Sequence, residues 1–291
     1  MTYLDHFRKL TALISTINSI LSKYGINEKI ELSDITITGR TVSDSAKSES
    51  KLSDSIVNFL WPSISEASVY HYTSRDSAES ILNSGVFRLT NIEKRFNEGE
   101  IVSFCQSHKL NGYLEQEEDG QPRYRKLIMP NTFYASFTDT NISQHDEEYF
   151  WSTFAACNGV RLKFDIKANN PNFRKIRYEE NAGTPLEILQ ELSEKIRDEY
   201  EMEFILKGIS RLCSFYLSGA DYGREKESRL LHRTWEGQTL QPKGTGPNSY
   251  IEIPLNKMTE CGYHLSISEV HANTEIEMPS TYVFSKRKSN I

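Results

Sequence analysis

The run Ser68-Val69-Tyr70-His71-Tyr72-Thr73 is dense in β-prone residues and predicts an extended strand. Ser74 then offers a hydroxyl as a helix N-cap, Ala78, Ile81 and Leu82 line a short helix, and Gly85 closes it in a left-handed conformation. Val86-Phe87-Arg88-Leu89-Thr90 alternates enough for a second strand. The unit is strand, helix, strand.

Downstream, Phe133-Tyr134-Ala135-Ser136-Phe137-Thr138 alternates, with Phe133, Ala135 and Phe137 on one face and Tyr134, Ser136 and Thr138 on the other. Val160, Leu162, Phe164 and Ile166 set against Arg161, Lys163, Asp165 and Lys167 make the cleanest amphipathic strand in the chain. Between them, Asp146 to Cys157 reads as a helix with acids in its first turn and Phe150, Trp151 and Phe154 as its bulky residues. Thr184-Pro185-Leu186-Glu187 predicts a helix start with a capping threonine and proline at the first helical position. That helix carries Leu189, Leu192, Ile196 and Tyr200 and is expected to run, with a break near Gly208, as far as Leu217. Strands follow over Glu225–His232, Tyr250–Leu255, Tyr263–Val270 and Thr281–Phe284. Scattered strands with unequal insertions indicate α+β rather than a repeating βαβ pattern.

Upstream, Leu4, Phe7, Leu10, Ile14, Ile17 and Leu21 recur at alternating steps of three and four, a helix with one apolar stripe. Packing on its own domain and a partner or dimer seam both fit that spacing. Residues 29 to 42 read as a short strand segment, and Ser43 to Ser55, rich in serine and charge, as a linker. The expected division is therefore residues 1–55, an N-terminal extension, and 56–291, the main domain.

With 37% hydrophobic and 25% charged residues the composition is ordinary for a soluble protein, and no apolar run is long enough to span a bilayer. The start Met1-Thr2-Tyr3-Leu4-Asp5-His6 lacks the features of a secretory signal. Cys105, Cys157, Cys213 and Cys261 form no CxxC pair, which suits reduced thiols in a cytoplasmic setting and argues against a structural zinc site. A net charge of −6 disfavours general attraction to phosphate backbones, although Arg123, Arg125 and Lys126, or the tail Lys286-Arg287-Lys288, are locally basic. No GxGxxG, Walker loop or GxSxG elbow is present, so dehydrogenase, P-loop and serine-hydrolase readings have no support.

Chemistry concentrates in three segments: His71-Tyr72-Thr73, Ser136-Phe137-Thr138 and Arg224-Glu225-Lys226-Glu227-Ser228-Arg229. A histidine beside a hydroxyl at a strand end has the donors and acceptors to hold a ribose or phosphate; a satisfied core or surface histidine is the competing reading. Two-residue spacing puts Glu225, Glu227 and Arg229 on one strand face, where an exposed, ion-paired edge is the alternative to a site. Arg224 and Arg229 are candidates for a pyrophosphate, because guanidinium binds phosphate oxygens bidentately. Trp151 and Phe154 either close a pocket by stacking or fill the core. His145-Asp146-Glu147-Glu148 looks like a metal cluster, but adjacent residues at a helix start point in different directions and read as a solvated first turn.

These segments, in this order, resemble the ADP-ribosyltransferase superfamily. More narrowly they resemble a bacterial family of unknown function, through His71-Tyr72-Thr73-Ser74, Thr90-Asn91, Ser136-Phe137-Thr138, Trp151, Gly159-Val160-Arg161-Leu162 and Glu225-Lys226-Glu227 with Arg229. The narrower resemblance covers about residues 69 to 232. It implies a split mixed or antiparallel β core with flanking helices, NAD as co-substrate, and transfer of ADP-ribose to a macromolecule. His71 would bind the NAD ribose with Tyr72 and Thr73 beside it; Tyr134, Ser136 and Thr138 would shape the nicotinamide pocket, with Trp151 and Arg229 as further NAD contacts. Glu227 would be catalytic, stabilising the positive charge that grows on ribose as nicotinamide departs, and Glu225 would orient or deprotonate the acceptor. Many members have His-Gly-Thr where Tyr72 stands here, and Ser-Thr-Ser or a lone tyrosine in place of Ser136-Phe137-Thr138.

By analogy with free-standing bacterial relatives, a toxin of a defence or toxin–antitoxin system is implied, restrained by an inhibitory partner protein, with RNA or DNA favoured over protein as acceptor. A non-catalytic nucleotide- or partner-binding module is the second expectation. A metal-dependent nuclease using His145, Asp146 and Glu148 is the third.

Overall fold

The structure is a computed structural model that describes residues 3–45, 51–95, 98–156, 158–219, 222–234, 240–274 and 276–286. Its backbone divides into two units, each gathered from three segments: 1–62, 92–132 and 177–220 form the first, and 63–91, 133–176 and 221–291 the second. The chain opens with α1 (Tyr3–Lys23), β1 (Ile35–Thr38), β2 (Thr41–Asp44) and α2 (Lys51–Leu60). Next come β3 (Glu66–Thr73), α3 (Arg75–Ser84) and β4 (Val86–Asn91), then α4 (Ile92–Arg95), α5 (Glu98–Ser107) and α6 (Arg123–Leu127). β5 (Thr132–Asp139), α7 (Gln144–Thr153), β6 (Val160–Ala168) and β7 (Phe173–Lys175) lead to β8 (Arg177–Glu179), α8 (Glu187–Tyr200), β9 (Glu203–Ile205), α9 (Ile209–Ser214) and β10 (Tyr216–Ser218). β11 (Glu227–Arg233), β12 (Tyr250–Pro254), β13 (Tyr263–Ala272) and β14 (Phe284–Lys286) complete the described elements. The chain is α+β, and among the described residues no helix is long and apolar enough to cross a membrane.

The second unit is built on the alternation of β6. Val160, Leu162, Phe164 and Ile166 are fully buried, while Arg161, Lys163 and Asp165 keep partial exposure on the other face. Burial of the apolar row is what holds the strand in register, because a one-residue slip would expose all of it. Around it runs the strand order β12-β4-β5-β3-β6-β13-β14, with β11 pairing β5 and β7. Phe87, Phe137, Phe164, Phe173, Leu230 and Leu265 meet in the core of this unit. α3 forms as the sequence indicates: the Ser74 hydroxyl accepts from Ser77 N–H, and Gly85 takes a left-handed φ of 65°.

The sheet parts between β3 and β5. These two strands pair through Val69↔Asp139 and Tyr70↔Thr138. From there His71, Tyr72 and Thr73 run on beside Leu162, Arg161 and Val160 of β6, whereas Tyr134 and Phe133 turn to Thr90 and Asn91 of β4.

In the first unit α1 packs on α8, and β1, β2 and β9 form a small sheet. Among the described side chains of α1, Leu13, Ile17, Ile20 and Leu21 are buried and Phe7 is 51% exposed, while the Leu4 side chain lies outside the described ones. The buried stripe is therefore rotated from the predicted one.

Several expectations need correction. The Ser43–Ser55 linker is strand at one end and helix at the other, with 46–50 outside the described residues, so the boundary placed near residue 55 falls inside α2. The helix predicted at Thr184 begins at Glu187, because the Thr184 hydroxyl donates to Asn181 O at 2.9 Å and the Leu186 N–H donates to His108 Nε2 at 2.7 Å. α8 also ends at Tyr200, with β9 intervening before α9. Thr281 to Val283 lies outside β14. Arg123 pairs with Glu115 and Glu117, and Lys126 with Asp119, so two of the three cations of that basic stretch are ion-paired within their own segment. Cys105, Cys213 and Cys261 carry free thiols. Cys157, Arg287 and Lys288 lie outside the described residues.

Candidate functional site

Side-chain alternation along β3 sends Val69 and His71 to the core face and Tyr70 and Tyr72 to the other. The His71 ring lies among Phe87, Phe137 and Phe164, at centroid distances of 5.2, 5.7 and 6.2 Å. Its Nδ1 is 3.0 Å from the Ser136 carbonyl oxygen. A carbonyl only accepts, so Nδ1 carries the hydrogen, and in the neutral ring Nε2 is then an acceptor. The imidazole thus spans the parting strands as a substitute for a ladder bond. Ser136 meets it through its main chain; its hydroxyl belongs to the opposite face, with Tyr134 and Thr138.

Glu227 begins β11 and is 5% exposed, as is Arg229. Arg229 Nε donates to Glu227 Oε1 at 2.7 Å and Nη2 to Oε2 at 3.1 Å, a bidentate pair. The guanidinium also stands 4.7 Å over the Tyr134 ring. Leu230, opposite Phe173 of β7, points to the core, so Glu227 and Arg229 occupy the other face with Tyr134. His71 and Glu227 are therefore carried on opposite faces of their strands. Arg174 is the cross-strand partner of Arg229 and is fully buried, its Nε donating to Pro171 O at 2.6 Å.

Glu225 does not share that face. It closes a 3-10 turn, Tyr222–Glu225, and Lys226 takes a left-handed φ of 44° before β11 starts, which breaks the two-residue alternation. Glu225 instead accepts from the Tyr149 hydroxyl at 3.4 Å. Burial raises the Tyr149 phenol pKa, and Glu225 adds to the effect. Arg224 lies 4.4 Å over the Tyr149 ring and 3.2 Å from His145 Nε2. The Ser143 hydroxyl donates to Asp146 and holds that acid below its usual range. Among the described residues no group of three or more His, Cys, Asp or Glu side chains is arranged to hold a metal ion.

Tyr72 stacks on Phe150 at 5.3 Å and meets Trp151 edge-on at 5.5 Å, so Trp151 is 1% exposed and fills the space between α7 and the sheet. Phe154, at the end of α7, is 44% exposed. Burial pushes the Tyr72 phenol up to about 12, with Arg161 opposing. Thr73 ends the strand opposite Val160. Sequence reasoning missed Arg161, which ion-pairs with Glu147 at 2.5 Å and lies 4.2 Å over the Tyr70 ring. It also missed Arg174. Both sit in plain strand patterns, and only cross-strand register brings them to these neighbours.

Compared with known proteins, the chain matches no family model, no curated protein and no solved structure.

Proposed function

We propose that the second unit is an ADP-ribosyltransferase-like domain that transfers ADP-ribose from NAD to a macromolecule, with nucleic acid, RNA included, favoured as acceptor over protein. The observation that carries this reading is a buried carboxylate, Glu227, paired with Arg229, whose guanidinium stands over Tyr134 of β5, the strand whose Ser136 carbonyl receives His71. A ligand on the Glu227 face meets the β11 residues and Tyr134, while His71, on the opposite face, fixes β5 where it parts from β3. The parting also supports the split β core that the resemblance implies.

Heterolysis of the nicotinamide–ribose bond releases nicotinamide with the bonding pair and leaves positive charge on the ribose. Glu227 is the group that hydrogen-bonds the 2′-hydroxyl and stabilises that charge, worth a few kcal/mol in comparable sites. His71 acts through the main chain, its Nδ1–H holding the Ser136 carbonyl of the strand that carries Tyr134. A nucleophile on the acceptor then forms the new bond and gives up its proton. Glu225, held on Tyr149 away from Glu227, fits the acceptor side rather than the ribose. The cytoplasmic, toxin-like setting and the inhibitory partner belong to this reading by analogy alone.

A second reading, a non-catalytic nucleotide- or partner-binding module, is favoured by one fact: Arg229 engages both oxygens of Glu227. Incubation of the chain with labelled NAD and cellular RNA, DNA and protein separates the two. Label transfer that Glu227→Ala abolishes supports the transferase. NAD binding without transfer selects the module, and transfer by Glu227→Ala removes Glu227 from the chemistry.

A further inference from the structure

Glu227 and Arg229 form a bidentate pair. Both carboxylate oxygens accept from one guanidinium, at 2.7 and 3.1 Å, and both side chains are 6% exposed. In that state the acid is turned toward a cation instead of a ribose hydroxyl. Arg174 stands directly across the ladder from Arg229, so two guanidinium-bearing residues and one acid share this part of the face. A diphosphate competes with a carboxylate for such a buried guanidinium, because it offers arginine the same bidentate geometry with more negative charge.

We infer that Arg229 is a substrate-operated latch: the diphosphate of the nucleotide draws it off Glu227, and the freed carboxylate then serves the ribose. The inference rests on the proposed NAD reading and adds its regulation. It explains why an acid needed for catalysis is stored in a salt bridge. Before the nucleotide arrives the carboxylate is neutralised by a neighbour two residues away; afterwards the cation has a new partner and the acid is exposed to the sugar. No bond is made or broken in this step, only a hydrogen-bonded pair exchanged.

ADP is the probe, since it carries the diphosphate but not the nicotinamide-side ribose. If Arg229 must leave Glu227 to bind ADP, Glu227→Gln weakens the competing pair and tightens ADP binding by about tenfold, the scale of one charged hydrogen bond. Arg229→Gln then weakens ADP binding by about tenfold or more, while adenosine, which has no phosphate, binds wild type and both variants alike. Unchanged ADP affinity in Glu227→Gln overturns the latch and leaves the NAD reading standing. Equal tightening of adenosine also overturns it, and absence of ADP binding to every form removes the NAD reading as well. Should either variant unfold, the Arg229 Nε–H resonance of the wild-type chain gives the same answer: it shifts on ADP addition if the pair opens and stays in place if it does not.

Discussion

The carbonyl oxygen of Thr73 lies 2.2 Å from where a β-carbon on Gly159 would stand, and the Ala155 carbonyl lies 2.5 Å from the same point. The turn that brings α7 back into β6 is therefore wedged against the end of β3. Gly159→Ala has to move main chain, and it is expected to lower unfolding free energy by about 1–3 kcal/mol. Denaturant titration measures this; a midpoint equal to wild type would show that the turn relaxes freely.

His71→Phe keeps a ring among Phe87, Phe137 and Phe164 but has no N–H for the Ser136 carbonyl. The expected result is a stability loss of about 1 kcal/mol together with a drop in NAD affinity of roughly tenfold or more. Calorimetric titration with NAD reads the second quantity. Wild-type affinity in a folded variant would take His71 out of the site.

Lys226 holds a left-handed conformation with its carbonyl accepting from Asp139 N–H at 3.3 Å. Glycine adopts that conformation without the β-carbon clash, so Lys226→Gly is expected to be neutral or to add up to about 1 kcal/mol. A clear loss of thermal stability would mean that the lysine side chain contributes more than its backbone costs.

Acid sensitivity follows from two buried imidazoles. Burial pushes His108 down to about 4, opposing its Nδ1–H bond to Phe104 O; its Nε2 accepts the Leu186 N–H and has to stay unprotonated. Burial likewise pushes His232 down to about 4. In the unfolded chain both take up a proton near 6.5, the ordinary histidine value. Between about 4 and 6.5 the unfolded state binds more protons, so stability is complete above that window and is lost as pH falls through it. Urea midpoints across the window should fall with pH, and His108→Asn should reduce the slope. A flat wild-type profile would contradict the burial of these rings.

Much of the second unit was legible from local pattern. The alternation of β6 and the Ser74 and Gly85 caps of α3 each depend on residues within a few positions, where hydrophobic period and turn chemistry speak directly. Glu225 was misread because its separation from Glu227 turns on a left-handed lysine, a conformation that lysine rarely adopts and composition does not signal. Thr184-Pro185 carries a sound helix start that a distant histidine overrides by capturing Leu186. The candidate residues were visible by type, but their pairings were not. His71 with Ser136 and Arg229 with Tyr134 exist only once strands far apart in sequence lie side by side.

Each unit is gathered from three separated segments, and the order of those segments governs how the protein is made. A ribosome releases α1 long before α8, on which it packs, and β6 long before β13, with which it pairs. Neither unit has its full set of partners until residues beyond 177 have emerged. The early apolar faces therefore pass through synthesis uncovered, the interval in which nascent chains depend on chaperones. Glu227 itself leaves the ribosome only after β3 to β7 of its sheet are made, so the proposed site is assembled late in synthesis.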